Sequence, residues 1–287
     1  MGASSRLARL LSRAWPEDFP ARLTWQSRGP VAGLDVVAMP LLEDPEKLAA
    51  LCAGADVVLN LAGVVPTHAA RAGAAVDFAD NSRLALAALE AAREAGVGHV
   101  FLISSAAVYG AADHPQDETS PPAPSGAYGR AKAEMEAAAL NWQQAAGASA
   151  PGVSLLRLGN IVGADALIGA AGGGPVWLDR FADGRSPLRS YIGPATLARV
   201  LAALMARATA GQALPALLNV AAPEPVEMQD LCRAAGLDWQ PRAAPATAIA
   251  RLVLDTRRLQ QLYRFSAADS RAAEMVAQFR KTEVKAE

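Results

Sequence analysis

Short aliphatic and β-branched runs alternate along this chain with longer Ala/Leu/Glu segments, and that alternation constrains its fold more than any other feature. It is the pattern of a parallel sheet covered by helices. Strands are expected at Arg22–Gln26, Leu34–Met39, Asp56–Leu61, His99–Ser104, Val153–Leu158 and Leu217–Val220. The clearest helices are expected at Asn81–Ala95 and Tyr128–Ala146, both with Ala and Leu at the three-and-four spacing of a buried stripe. No segment repeats at a fixed period, which excludes a solenoid. From Gly163 onward Gly and Pro become dense, in GAAGGGP, PEP and QPRAAP, the mark of a loop-rich second lobe. The expected fold is therefore α/β, a doubly wound, Rossmann-like parallel sheet over residues 1–163. A small substrate-binding lobe over 164–287 follows, from which a strand near 217–220 returns to the sheet.

Composition narrows the partners. With 287 residues, 52% hydrophobic and 19% charged, the chain can bury a large core. Lys+Arg 27 against Asp+Glu 28 leaves a net charge of −1, so neither nucleic acid nor an anionic membrane is expected as a partner. A small-molecule substrate is expected, and self-association as a homodimer is left open. Cys52 and Cys232 lack close Cys or His neighbours, and His68, His99 and His114 lack metal-ligand spacing, so no metal site is expected and both thiols read as reduced. No run approaches the roughly 20 apolar residues of a membrane span. The opening MGASSRLARLLSRAW superficially matches an organellar transit peptide, but the same residues have a better reading, and a cytoplasmic location is expected.

In a doubly wound sheet the first strand feeds a Gly-rich turn and a helix, whose free N–H groups and positive dipole end hold a dinucleotide pyrophosphate. Gly2-Ala3-Ser4-Ser5-Arg6-Leu7-Ala8 has the form of such a turn, with Ser5 and Ala8 in place of two glycines and Met1 as the last residue of the strand before it. The chain thus reads as starting inside the turn, without its first strand. The second strand ends in TWQSRGP, with no acid between Thr24 and Pro30 to bind ribose hydroxyls, while Arg6 and Arg28 could face a 2′-phosphate. NADP(H) is favoured on that ground and NAD(H) is left open. The plainer alternative for Arg28 is a solvated turn residue.

Further along, ADVVLNLAGVV ends a strand in Asn60-Leu61-Ala62-Gly63, HVFLISSAAVYG ends one in two serines, and Tyr128-Gly129-Arg130-Ala131-Lys132 forms YxxxK at the start of a helix. Residues four apart share a helix face. An ammonium roughly 6 Å from the phenol, at an effective dielectric near 20, is expected to lower a Tyr pKa by about two units. The phenol then serves as acid and base near neutral pH. With four tyrosines and the lysines Lys47, Lys132, Lys281 and Lys285, an accidental YxxxK is expected only about 0.06 times.

Together these segments resemble the extended short-chain dehydrogenases/reductases, the NAD-dependent epimerase/dehydratase family. The resemblance runs through LLRLGNIVG, RSYIGPATLA and LDTRRLQQLYRF and so covers most of the chain. It implies Ser105, Tyr128 and Lys132 as the catalytic trio, with Asn81 as part of a proton relay or a helix-positioning element. A simple N-cap is the alternative for Asn81. It also implies that Gly2, Ser5, Arg6, Arg28, Leu61, Ala62 and Gly63, with Tyr128 and Lys132, contact the cofactor. Asn160 and Arg189 fall where the family contacts a substrate phosphate, and Ser105 would hold the substrate oxygen. Asp117 and Glu118 read as solvated loop residues. Only Ala164–Leu188 lies between the two substrate segments, which argues against a nucleotide sugar and for a smaller carbonyl or hydroxyl compound. The implied activity is hydride transfer with Tyr128 moving the proton. The alternative is a non-catalytic dinucleotide-binding regulator or a truncated pseudo-enzyme.

Overall fold

The computed structural model describes residues 1–15, 19, 21–65, 77–169 and 175–284, so His68 lies outside the described residues. All six expected strands form. In chain order they are β1 (Trp25–Ser27), β2 (Val36–Ala38), β3 (Val57–Asn60), β4 (His99–Ser105), β5 (Gly152–Leu158) and, further on, β10 (Leu217–Val220). β1 and β2 pair in parallel, with Trp25 opposite Val36. The other four make a parallel sheet in the order β10-β5-β4-β3, so the returning strand takes the edge beside β5.

The two sheets are joined by the start of the chain. The Met1 amino group donates to Leu59 O (2.8 Å), Leu61 N donates to Met1 O (3.1 Å), and Ala3 N donates to Gln26 O (2.8 Å). Residues 1–3 thus fill the rung between β3 and β1 at the carboxyl ends of the strands, as expected for the end of a central strand.

Successive residues of β4 and β5 point to opposite faces, and both faces are covered, which is why these runs are mostly apolar. On one side Phe101, Leu156 and Leu158 pack with Leu218 against α1 (Arg6–Ala14) and α5 (Pro194–Thr209) through Leu11, Leu197 and Leu201. On the other, Val100, Leu102 and Leu155 meet α2 (Pro45–Cys52), α3 (Asp80–Glu94) and α4 (Ala127–Ala146) through Leu48, Leu89, Met135 and Ala139. Each fully buried Leu contributes about 1.5–3 kcal/mol.

The later residues hold more strand than the Gly/Pro density suggests. β6 (Asn160–Ile161) pairs with β9 (Tyr191–Ile192), β7 (Val176–Arg180) with β12 (Trp239–Ala243), and β8 (Leu188–Arg189) with both β11 (Val226–Glu227) and β13 (Arg251–Leu252). Most of these are two residues long, too short for a period of two to show in the sequence. They enclose a core of Val162, Leu178, Tyr191, Leu231 and Met275, closed by α6 (Met228–Ala235) and α8 (Ala272–Val284). The short α7 (Arg257–Leu262) packs Leu259 on the main sheet's core.

Cys52 and Cys232 are free, buried thiols. No described helix is long and apolar enough to cross a membrane, and the described residues contain no cluster of metal-ligating side chains.

Candidate active site

The site lies at the carboxyl ends of the strands, where a doubly wound sheet leaves its crevice. Gly2 makes the first turn possible on two counts. Its φ is +80°, a left-handed conformation that disfavours side chains, and a β carbon there would sit 2.6 Å from Ala62 N. Ser5 then caps α1, its Oγ accepting from Ala8 N at 3.1 Å. The Ser5 side chain therefore folds back onto the helix, while the N–H groups of Arg6 and Leu7 have no intrahelical acceptor. The Arg6 side chain reaches the later part of the chain: Nη1 donates to Asp165 O (3.2 Å) and lies against Gly169. Arg28 is exposed, on a turn closed by a hydrogen bond from the Ser27 hydroxyl to Gly29 O.

The second turn follows β3. Asn60 Oδ1 accepts from Ala62 N, and Asn81 grips Val64 by both backbone groups, Oδ1 accepting from N (3.1 Å) and Nδ2 donating to O (3.2 Å). Asn81 is not an N-cap: it lies inside α3, whose cap is Ala79 with no side-chain bond. Gly63 sits so close that a β carbon on it would be 2.9 Å from Asn81 Oδ1 and 3.3 Å from Lys132 Nζ.

Ser105 ends β4, its Oγ accepting from Ala107 N (3.2 Å) and lying beside the Tyr128 phenol. α4 approaches β4 because Gly129 leaves room for Ala107 O; a β carbon there would meet that oxygen at 2.3 Å. Tyr128 is half-buried, its ring 6.3 Å from that of Phe78. One turn later Lys132 is buried, with Nζ donating to Ile103 O at 2.9 Å.

The electrostatics differ from the sequence expectation. Burial pushes the Tyr128 phenol above its ordinary value, opposed by the neighbouring Ser105 hydroxyl. Burial acts on the lysine too, pulling the ammonium down to about 8 while Glu136 acts to raise it.

The trio, Asn81, Gly2, Ser5 and the turn Leu61–Gly63 are thus drawn to one edge of the sheet. Asn160 and Arg189 lie in the later part of the chain. Asn160 stands on β6 opposite Tyr191, whose phenol donates to Asp165 Oδ2 at 3.0 Å. The Arg189 guanidinium donates to the carbonyls of Leu188, Ile249 and Ala250.

Sequence reasoning missed a buried polar network beneath the trio. Ser104 Oγ donates to Glu136 Oε1 (2.6 Å), and Arg157 clasps the same carboxylate through Nε and Nη2 (2.6 Å at the shortest). Arg157 Nη1 donates to Tyr109 Oη, which donates to Asn219 Oδ1, both at 2.8 Å. Asn219 N donates to Glu118 Oε1 (2.9 Å). Glu118 is therefore buried, against the expectation that it is solvated, whereas Asp117 is partly exposed and caps a turn through Thr119 and Ser120. The legible signal was Arg157 itself, a charge inside the apolar run VSLLRL that had to have a partner.

A doubly wound parallel sheet, a glycine turn opening into a helix at its central rung, and Ser, Tyr and Lys at the carboxyl edge define an extended short-chain dehydrogenase/reductase. The chain belongs to the NAD dependent epimerase/dehydratase family, which it matches over residues 26–188. Among curated proteins none matches it in sequence. Among solved structures it resembles a UDP-glucose-4-epimerase from Stenotrophomonas maltophila with bound NAD and formylated UDP-arabinopyranose (TM-score 0.76, 18% identity, covering 99% of this chain and 97% of that one). It is also similar to a UDP-glucose 4-epimerase from Bifidobacterium longum in complex with NAD+ and UDP (0.75, 17%, 99% and 97%). A third similar structure is MoeE5 in complex with UDP-glucuronic acid and NAD (0.74, 22%, 98% and 97%).

Proposed function

We propose that this chain is an NAD-dependent enzyme that acts at a carbonyl or hydroxyl carbon of a small, sugar-like substrate, with Tyr128 as acid and base. The observation that carries this reading is the placement of Tyr128 at the start of α4 beside Ser105 at the end of β4, with Lys132 one helical turn further on beside Gly63.

The residues present fit a nicotinamide dinucleotide. The cradle at Gly2 would be filled by any β carbon, the Arg6 and Leu7 N–H groups point out of the helix end, and Leu61, Ala62 and Gly63 form the adjoining wall. Bound there, the nicotinamide supplies a hydride acceptor or donor. Ser105 holds the substrate oxygen, Tyr128 gives or takes the proton at that oxygen, and Lys132 contacts the ribose and supplies positive charge to the phenol.

NAD is the cofactor this reading adopts. The absence of a carboxylate in Thr24–Pro30 and the exposed Arg28 support the narrower expectation that NADPH binds at least as tightly as NADH. The short segment Ala164–Leu188 favours a substrate without a nucleotide. A nucleotide sugar is the second reading, favoured because a similar structure covered over 97% of its length was solved with formylated UDP-arabinopyranose. The test is fluorescence titration of NADH and NADPH, followed by nicotinamide absorbance with two panels, free hydroxy-carbonyl compounds and UDP-sugars. Failure to bind either reduced cofactor overturns the reading; turnover confined to the UDP-sugars selects the second.

A further inference from the structure

Lys132 and Glu136 stand one helical turn apart on the same face of α4, and both are buried, at 4% and 3% exposure. They reach adjacent residues of β4, Lys132 the carbonyl of Ile103 and Glu136 the hydroxyl of Ser104. The next residue is Ser105. Glu136 is also the counter-ion of Arg157, whose side chain is 2% exposed. The buried carboxylate thus pairs directly with Arg157 and lies one helical turn from the buried Lys132, to which it makes no direct bond.

We propose that Glu136 is a positioning residue of the site, its carboxylate keeping the buried Lys132 ammonium protonated and aligned along β4. A buried ammonium without a nearby anion sheds its proton. The carbonyl of Ile103 is a neutral acceptor and cannot replace that charge. The groups around Lys132 that bear on its titration are Glu136 and Tyr128 on its own helix and Arg157 behind Glu136 on β5. From the second turn come only the neutral Asn81 and Gly63. Arg157 opposes Glu136, but it lies beyond the carboxylate and holds it in place through its bonds. The arrangement leaves an excess of one positive charge under the phenol, where an ionised Tyr128 would balance it. Removing Glu136 moves that charge away from the phenol: Lys132 sheds its proton and the remaining positive charge sits on Arg157.

The inference concerns the lysine that the proposed function uses, and its test does not depend on turnover. The chain has only Lys47, Lys132, Lys281 and Lys285, so a [13C]lysine-labelled protein gives four Cε resonances, with Lys132→Met identifying the relevant one. We expect the Lys132 resonance to titrate below the other three. In Glu136→Gln its midpoint falls by at least one pH unit further. General loosening of the fold would move it the other way, towards the value of an exposed lysine. Arg157→Met, which frees the carboxylate, should move it up. If Glu136→Gln fails to fold, Glu136→Gln/Arg157→Met removes both charges together, and its midpoint must also lie below that of the parent. An unchanged or raised midpoint in the folded Glu136→Gln protein, or in the double variant where that is used, overturns the proposal. NADH titrations of the parent from pH 6 to 9 separate the two readings: affinity that ignores the Lys132 midpoint counts against the ribose contact and leaves the role of Glu136 untouched.

Discussion

Asn81 and Val64 are joined by a reciprocal pair of hydrogen bonds that fixes the turn after β3 against the start of α3. A third bond, from Nδ2 to Phe78 O at 3.1 Å, ties the same side chain to the residue whose ring faces Tyr128. Asn81 therefore positions both walls of the site, the one at Gly63 and the one at Phe78.

Asn81→Ala leaves the Val64 backbone groups without these partners, which costs about 1–3 kcal/mol. The expected result is a lower Tm together with several-fold weaker NADH binding, read by melting and by fluorescence titration. Asn81→Asp keeps the acceptor and loses the donor, so it should retain more stability than Asn81→Ala. If both variants bind NADH as the parent does, the turn does not depend on Asn81.

Gly63→Ala tests the same wall from the other side. Its β carbon would press on Asn81 Oδ1 and Lys132 Nζ, both of which are held by other bonds, so the lysine or the turn must shift. We predict at least tenfold weaker NADH binding with a loss of stability of about 1–3 kcal/mol, the usual range for overpacking. Unchanged binding would show the wall to be compliant.

The sequence made the sheet legible because strands such as Val57–Asn60 and His99–Ser105 are apolar where they are buried on both faces, and it made the trio legible because YxxxK and the paired serines are local patterns. Glu118 and Glu136 were not legible in that way. Their partners, Asn219 and Arg157, lie 101 and 21 residues away and meet them only through the order of the strands. The effect of Lys132 on Tyr128 was misjudged for a related reason, since spacing along a helix says nothing about how far burial disfavours both charges. Arg189 looked free to bind a phosphate because the carbonyls that occupy it come from the distant Ile249 and Ala250.

His99 predicts an acid sensitivity. It is buried beside Phe101, with Nε2 3.0 Å from Ser154 Oγ, and burial lowers its pKa from 6.5 to about 4. In the unfolded chain it ionises near 6.5, so the unfolded state binds more protons between those values. The stability it contributes is complete above about pH 6.5 and is lost as the pH falls towards 4, on the order of 3 kcal/mol in all. Urea unfolding at pH 7 and pH 4.5 measures the loss, and His99→Gln should flatten it. An equally steep loss in the variant would assign the acid limb to other groups.

Tyr128→Phe and Lys132→Met separate proton transfer from charge. Tyr128→Phe keeps the ring against Phe78 and deletes the oxygen beside Ser105, so it should abolish turnover of any substrate the parent accepts, with Tm and NADH affinity nearly unchanged. Lys132→Met should do something unlike it. The folded protein holds Lys132 with a pKa of about 8 against 10.5 unfolded, so its charge is tolerated at a cost of about 3 kcal/mol at pH 7, a cost that fades as the pH rises from 8 to 10.5. Methionine removes that cost and also the bond to Ile103 O, itself a contribution of about 1–2 kcal/mol. The net expectation is a protein more stable by about 1–2 kcal/mol, with Tm raised by roughly 2–6 °C, that binds NADH at least tenfold more weakly. A residue kept at the expense of stability and needed for cofactor is one that serves the site. If Lys132→Met melts lower than the parent and binds NADH equally well, Lys132 is part of the scaffold and the function proposed for it is wrong.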